Sequence, residues 1–400
     1  MNRFNQSPRA FLEGHFKVLL SSMALAISAH GQTQPEGLSS EASVEVVEYD
    51  FSKSRGTLIY FDHERLVLNT DGATTKAFNP NDIALVRINS VESPVSNAQT
   101  STYPGRIWLT DGSHYSTEPI FRRGRLIWKN EMVGQIRASL DQIIAYNRSS
   151  IVFPESSPND DLVVLKNGDR IEGLIDRIEG DLFIEQVDGS MNGIPLDRVG
   201  SFALINDPMP DSTARLWSVN GDKIAFDSFR YEQGLGLIFG ERRIHVSDLP
   251  DQVVGFAYNV DRMTPLADLP VETSGITGQL RYHNPAPVND GGFWPFDAPP
   301  MQISGPIRLE WDLPGNDLGL IATAVLPPAF RKHGSVELVI SDESGELLRR
   351  VLTREDPTCD IRIRIRGDRL IMELHENGDG PIQDSIRLDQ AILLGSQAFD

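Results

Sequence analysis

The chain has 400 residues, of which 37 are Lys or Arg and 56 are Asp or Glu, so its net charge is −19. A surface this acidic repels phosphate backbones and anionic lipid, which argues against nucleic-acid partners. The single cysteine, Cys359, permits no intramolecular disulfide, so stability must come from packing, and we expect this side chain to be buried rather than reactive.

Residues 1–31 have the layout of a secretory signal peptide. Three basic residues precede an apolar run at 18–29, and Ala29 and Gly31 are the small residues of a cleavage site before Gln32. The run is too short to span a bilayer and no second one follows, so we expect export to the periplasm or beyond and no transmembrane segment. An amphipathic N-terminal helix or a single anchor is the alternative. Cleavage removes three basic residues and one acidic residue, which takes the net charge from −19 to −21.

A β-rich unit recurs along the first two thirds of the chain. Four copies are predicted, at 45–92 in a degenerate form, 105–150, 160–208 and 212–260. Each copy has enough residues for a small SH3-like barrel of four or five strands, which is marginal alone and gains stability by stacking. Only 81–86 and 130–146 have any helical character, and these too can be read as strands with loops.

Turn signals place a hairpin near the start of each clear copy. Asn167-Gly168 and Asn220-Gly221 have the residue types of tight hairpins, in which glycine supplies a positive φ. We therefore expect Gly168 and Gly221 to occupy equivalent positive-φ positions.

The last third of the chain, residues 265–400, follows a different pattern. An irregular stretch rich in Pro, Gly and Asn precedes a block of strands, and Ile361–Arg366 alternates apolar and charged residues strictly. This alternation predicts isoleucines in a core and arginines in water. Three tryptophans on strands, Trp108, Trp217 and Trp311, are expected to be core residues.

Two resemblances to known families follow from these motifs. The string Leu-x-Asn-Gly-Asp-x-Ile-x-Gly at 165–173 resembles the first signature of Sm-like barrels and units of exported bacterial β-proteins. Met191-Asn192 does not stand where the RNA-binding loop of Sm proteins does, so RNA binding is not implied.

Residues 302–395 resemble the NPCBM family, a putative carbohydrate-binding module. The resemblance is carried by Gly334–Ile340, Gly345, Gly378–Gly380 and Asp389–Leu393, and it implies a galactose-binding-like jelly roll with a sugar ligand. The chain departs from the family at Asp384–Leu388, which replaces a His-x-Asp-Trp segment. The predicted fold is therefore all-β, with tandem SH3- or Sm-like barrels followed by a jelly-roll β-sandwich.

Catalytic and metal-binding signatures are missing from the sequence. It contains no Gly-x-Ser-x-Gly, no His-Glu-x-x-His, no phosphate loop and no histidine pair at ligand spacing, so we expect no enzyme activity, cofactor or metal. The turn at 375–380 offers oxygen ligands for calcium, but its spacing is not that of an EF-hand loop, and we expect a solvated hairpin turn.

An aromatic loop gives the candidate sugar site. We expect Trp294 to stack on a sugar ring, with Tyr282, Asn289 and Asp297 contributing carbohydrate-binding contacts. The competing interpretation is that Trp294 and its neighbours Phe293 and Phe296 plug an uncovered face of the sandwich.

The predicted function is that of an exported, non-catalytic protein that recognises carbohydrate or cell-envelope material. Its expected partners are a polysaccharide or glycoconjugate, and possibly other envelope proteins. The alternatives are a structural envelope protein that makes only protein contacts and a hydrolase with an unrecognised carboxylate pair.

Overall fold

A computed structural model describes residues 43–70, 72, 74–88, 103–122, 125–149, 153–208, 214–225, 229–233, 236–239, 242–244, 252–276, 294–331, 334–378 and 384–395. Strands dominate these ranges, and they are joined by turns and by three-residue 3₁₀ helices. The chain is all-β, as predicted. The predicted signal peptide, residues 1–31, lies outside the described residues.

Strands β1 to β22 are described in four groups in chain order, named units A to D. Unit A contains β1 (Ser43–Glu48), β2 (Lys53–Phe61), β3 (Leu66–Asn69), β4 (Thr75–Phe78) and β5 (Ile83–Ile88). Unit B contains β6 (Arg106–Leu109), β7 (His114–Ser116), β8 (Glu118–Arg122), β9 (Arg125–Asn130), β10 (Gly134–Ile136) and β11 (Ile143–Asn147). Unit C contains β12 (Asp161–Leu165), β13 (Arg170–Ile178), β14 (Asp181–Glu185), β15 (Met191–Pro195) and β16 (Val199–Ala203). Unit D contains β17 (Arg215–Ser218), β18 (Lys223–Ala225), β19 (Phe229–Glu232), β20 (Gly236–Phe239), β21 (Arg242–Ile244) and β22 (Val253–Ala257).

Each unit closes by pairing its last strand with its first. The antiparallel pairs are β1·β5, β6·β11, β12·β16 and β17·β22. In units A, B and C a 3₁₀ helix leads directly into the last strand, at Pro80–Asp82, Leu140–Gln142 and Leu196–Arg198. The stretch 130–146 therefore consists of strands joined by turns and one 3₁₀ helix. This agrees with its interpretation as strands with loops, and not with its interpretation as a helix.

The hairpin glycines occupy the predicted conformation. Gly112, Gly168 and Gly221 have φ values of 76°, 91° and 79°, so the shared hairpin is confirmed in units B, C and D. In unit C the Asn167 side chain accepts a hydrogen bond from the Asp169 main-chain N–H at 3.2 Å, which fixes the turn.

A second glycine lies within the long strands of units A and C, where neighbouring backbone comes close. A Cβ added to Gly56 on β2 would lie 2.4 Å from the Asn69 carbonyl oxygen, and one added to Gly173 on β13 would lie 2.3 Å from the Glu185 carbonyl oxygen. Unit B carries Thr117 at the corresponding place, and there the long strand is divided into β7 and β8. The glycine lets two strands approach closely while the strand stays continuous.

The two glycines of unit C predict different costs of substitution. We expect Gly168→Val to destabilise the protein by about 1–2 kcal/mol, from backbone strain alone, because no atom lies within 4 Å of an added Cβ. At Gly173, which has a φ of 157°, the valine Cβ would also collide with the backbone of β14. Gly173→Val should therefore destabilise the protein more than Gly168→Val. Urea denaturation of the two variants measures the difference, and equal costs would contradict the close approach of β13 and β14.

The spatial order of the units differs from their order in the chain. Units A and D join through β5·β22, units B and C through β11·β16, and units B and D through β7·β18. The order in space is therefore A–D–B–C. Within the described residues this array shares one apolar core, built from the inward-facing side chains of every unit.

Units B and D make reciprocal contacts beside the β7·β18 pairing. Arg106 at the start of unit B donates a hydrogen bond to the main-chain oxygen of Asn220, at 3.4 Å. Its equivalent in unit D, Arg215, donates to the main-chain oxygen of Asp111 at 2.9 Å. Both arginines are buried, so reciprocal contacts of the same kind hold the two barrels together.

Residues 263–394 build a β-sandwich of two sheets. The first consists of β23 (Met263–Pro265), β25 (Met301–Ser304), β27 (Leu318–Val325), β30 (Thr358–Ile365) and β32 (Ser385–Leu394). The second consists of β24 (Val271–Ser274), β26 (Ile307–Asp312), β28 (Val336–Asp342), β29 (Gly345–Leu352) and β31 (Arg369–Glu376). Strand β30 alternates exposed and buried residues from end to end, so the predicted alternation is confirmed, and Trp311 and Cys359 are buried as expected.

A third apolar cluster joins the sandwich to units A and D. Its buried members are Val47, Tyr49, Ala84, Leu85, Trp217, Ala257, Phe296, Ala298, Ile321, Ile392 and Leu394. Polar contacts surround this junction: Lys53 pairs with Asp360 at 3.0 Å, and the Arg262 guanidinium lies 4.2 Å from the centre of the Tyr49 ring.

The expectation that all three tryptophans lie in the core is wrong for Trp108. Trp108 and Trp217 hold equivalent positions, and both point out of their own barrel. Trp217 is 1% exposed because the junction covers it, whereas Trp108 is half-buried and its ring meets that of Phe153 edge-on, with centroids 5.3 Å apart. The sequence pattern identifies the strand but does not show which outward face is covered.

Candidate functional site

The candidate site is built on a turn that leads into the sandwich. A 3₁₀ helix at Pro295–Asp297 follows Trp294, and its residues Phe296 and Asp297 both have left-handed backbone conformations, with φ of 59° and 53°. Such conformations are costly for a side chain as bulky as phenylalanine, and they persist only where the surroundings hold them.

Phe296 is held by the junction between unit D and the sandwich. Its ring is 2% exposed, and its centroid lies 4.9 Å from that of Trp217. A Cβ added to Gly255 on β22 would come within 2.6 Å of the Phe296 ring, so the glycine makes room for it. Phe296 therefore plugs an apolar gap, as the competing interpretation of this loop expected for it.

Asp297 has protein partners on its exposed side. Its carboxylate lies 2.6 Å from the Lys223 ammonium and accepts a hydrogen bond from the Trp217 indole N–H at 3.4 Å. The carboxylate still keeps 40% of its exposure. The position of this oxygen pair is thus fixed while part of it remains open to a ligand.

A second carboxylate stands close to the first. Burial raises the pKa of Asp268, and the negative charge of Asp297 raises it further, while the ammonium of Lys223 opposes the shift. Two carboxylates and one ammonium therefore occupy the same small region. They supply acceptors and a donor for hydroxyl groups.

The structure places some of the predicted sugar-binding residues. Trp294 is half-buried, immediately before the turn, with its carbonyl accepting a hydrogen bond from the Asp297 N–H at 3.1 Å. Tyr282 and Asn289, like Phe293, lie outside the described residues. The site as described therefore combines a half-buried indole with the carboxylates and ammonium around Asp297.

Sequence reasoning missed Lys223 and Asp268. Lys223 stands on β18, within a barrel unit, and Asp268 lies in the 3₁₀ helix Leu266–Asp268 at the entry to the sandwich. Neither lies near Trp294 in the sequence, and no motif marks them. Only the packing of unit D on the sandwich brings them to Asp297.

The described residues hold no group of side chains suited to a metal ion and no helix suited to a membrane span. Among them no three His, Cys, Asp or Glu side chains are grouped so that they could hold a metal ion. The turn at 375–380 is only partly described, because Asp379 and Gly380 lie outside the described residues. No helix in the described part of the chain has the length and apolar character needed to cross a membrane.

Comparisons with known proteins give neighbours among solved structures alone. No protein-family profile matches the chain, and no curated protein matches it. The structure of CBM51 from Clostridium perfringens GH95 in complex with methyl-galactose is 13% identical, with a TM-score of 0.26, over 33% of this chain and 99% of that chain. The structure of CBM51-2 in complex with GlcNAc and INT domains from Clostridium perfringens ZmpB is 10% identical, with a TM-score of 0.26, over 70% of this chain and 45% of that chain.

A third neighbour contains a catalytic domain. It is the M60 catalytic domain with the CBM51-1 and CBM51-2 domains from Clostridium perfringens ZmpB, 9% identical with a TM-score of 0.27, and the chain covers 55% of its length. The neighbours thus include carbohydrate-binding modules. Scores at this level establish neither a shared family nor a shared site.

Proposed function

We propose that this chain is a non-catalytic, exported protein that binds carbohydrate, or cell-envelope material that carries it. The observation that carries the proposal is the half-buried Trp294 beside the fixed, partly exposed carboxylate of Asp297. Sugar rings bind through an aromatic face that stacks on their C–H surface, together with polar groups that hold their hydroxyls.

The surroundings of Trp294 supply both elements. Phe296 and Trp217 are buried beneath the turn and give it a rigid base, so the indole is positioned by packing. Asp297, Lys223 and Asp268 provide two acceptors and one donor at the rim. Tyr282 and Asn289 are proposed to complete the site from the neighbouring loop.

The test is Trp294→Ala on a glycan array and in affinity electrophoresis with a polysaccharide that the unmodified chain retains. We expect retention to be lost while the melting temperature stays nearly unchanged. A core plug loses about 3–5 kcal/mol on truncation to alanine, so a large melting shift would instead assign Trp294 to the junction. The matched control is Trp108→Ala, which removes another half-buried tryptophan and should leave retention intact.

One observation favours a hydrolase as the second candidate. Burial and the neighbouring charge of Asp297 raise the pKa of Asp268, which is the direction that a general acid in glycoside hydrolysis requires. Incubation with polysaccharide and aryl-glycoside substrates decides between the two functions. Release of reducing sugar that disappears in Asp268→Asn would replace the binding proposal with the hydrolase, whereas retention without release supports binding alone.

A further inference from the structure

The A–D and B–C pairs of units join in the same way at one edge. Last strands pair in both, with Phe256 opposite Val86 in one and Phe202 opposite Tyr146 in the other. Since units B and D are equivalent, and β13 of unit C corresponds to β2 of unit A, each contact in one pair has a counterpart in the other. The counterparts can therefore be compared one by one.

The two pairs differ at their second contact. In the A–D pair, β19 pairs with the end of β2, placing Tyr231 opposite Phe61, and the two rings stack with centroids 5.9 Å apart. The corresponding strands of the B–C pair are β8 and β13. Within the described residues β8 pairs with β9, and β13 pairs with β12 and β14, but β8 and β13 do not pair with each other. Phe121 lies opposite Leu126 as Tyr231 lies opposite Leu237, so Phe121 and Ile178 stand where the A–D pair has its stacked rings.

A cleft of about 1300 Å³ opens at this place. Arg122, Arg125, Leu126 and Ile127 of the β8–β9 hairpin line one side, and the end of β13 lines the other. Ile143 and Ile178 are buried in its floor. The strand edges that pair with each other in the A–D pair are therefore separated, in the B–C pair, by an open and partly apolar space.

The rim of the cleft is cationic although the chain as a whole is acidic. Arg122, Arg125 and Arg137 line it, are exposed, and form no ion pair with any described residue. The fourth arginine, Arg177, is held by Asp176 and by Glu179, the latter at 3.3 Å, so the one carboxylate of the lining is already neutralised. Three unpaired guanidinium groups attract carboxylates, which they bind in a forked geometry.

We propose that this cleft binds an extended, acidic polypeptide segment of a partner protein. The segment adds as a strand between β8 and β13. In the A–D pair the corresponding strands, β19 and β2, pair with each other directly. The backbone of the segment pairs with the open strand edges, and its Asp or Glu side chains meet the three arginines. Main-chain pairing supplies affinity, while charge selects the partner. This surface is separate from the Trp294 site.

The test uses the full exported chain and a fluorescent peptide of about eight residues that alternates Glu with Val, the length of an ordinary strand. We expect saturable binding in fluorescence anisotropy that weakens as salt rises. Arg125→Glu combined with Arg137→Glu should weaken it about tenfold or more, a difference of about 1.4 kcal/mol. The control Arg198→Glu, an exposed arginine of unit C outside the cleft, should stay within about twofold.

Three further probes separate the proposal from its competitors. The same peptide with an N-methyl group on every residue keeps its charge but can donate no main-chain hydrogen bond to either strand edge, so it should not bind. Equal binding of that peptide, or of one with Lys in place of Glu, would overturn the proposal. So would binding of polygalacturonate but not of the Glu peptide, because the cleft would then be a site for acidic polysaccharide. Thermal melts of each variant show whether a loss of binding comes from unfolding.

Discussion

Ile363→Asp is expected to unfold the sandwich under conditions in which the unmodified chain is stable. Ile363 lies in β30 opposite Leu320 of β27, and it belongs to the apolar cluster between the two sheets. A carboxylate there has no partner in the described core, and its burial should cost about 4 kcal/mol or more. Urea denaturation followed by tryptophan fluorescence measures the change.

The pH dependence gives this prediction a second, independent readout. Burial raises the pKa of a carboxyl placed in an apolar core, so the neutral form is favoured in the folded state. The penalty should be fully present above that raised pKa and should shrink as the pH falls through it towards the ordinary pKa of an aspartate in the unfolded chain. A cost that is the same at pH 4 and pH 8 would show that the new side chain has reached solvent.

The neighbour Arg364 provides the matched control, but the substitution has to be chosen with care. Arg364 is exposed and forms two hydrogen bonds of 2.5 Å with the Asp317 carboxylate. An aspartate there would face Asp317 directly, so Arg364→Gln is the better control. Loss of an exposed pair should cost within about 1 kcal/mol. Equal effects at 363 and 364 would contradict the one-sided burial of β30.

Phe296→Ala is expected to have the second largest effect, because this side chain fills the junction between unit D and the sandwich. Removing a buried phenylalanine ring costs about 3–5 kcal/mol when the cavity cannot collapse. The Trp217 ring and the Gly255 backbone form the walls of this cavity, and both belong to unit D. The melting temperature should fall, and the transition should broaden or separate as the two parts uncouple.

Phe296→Gly tests the role of the unusual backbone conformation. Alanine keeps the strain of a φ of 59°, whereas glycine adopts that conformation freely, so the glycine variant should recover about 1 kcal/mol of the loss. Both variants should also disturb Asp297, the next residue, and with it retention on polysaccharide. A melting temperature unchanged by either substitution would show that the junction does not depend on this ring.

Much of the local structure could be predicted from the sequence, because its causes are local. The alternation in Ile361–Arg366 specifies a strand with one buried face, and the glycines of Asn167-Gly168 and Asn220-Gly221 specify hairpins. The repeated pattern also indicates four small β-units followed by a different architecture. These features depend on side-chain period and on backbone conformation at single residues.

What the sequence could not predict depends on contacts between distant parts of the chain. The difference between Trp108 and Trp217 arises because only one of two equivalent faces is covered by the sandwich. The partners of Asp297 come from a barrel unit, and no spacing rule connects them. The run Arg122-Arg123-Gly124-Arg125 is visible as a basic cluster in an acidic chain, but its significance depends on the opening beside β13.

The spatial order A–D–B–C has a consequence for how the chain reaches its native state. Units B and C are neighbours in both sequence and space, so their pairing closes a short loop. Unit A pairs with unit D only after residues 215–257 are available, which makes this contact non-local and slow to form. A chain truncated after unit C would leave β2 and β5 with open edges. Open strand edges are templates for aggregation, so nascent or clipped forms of this protein should depend on a holding chaperone until unit D arrives.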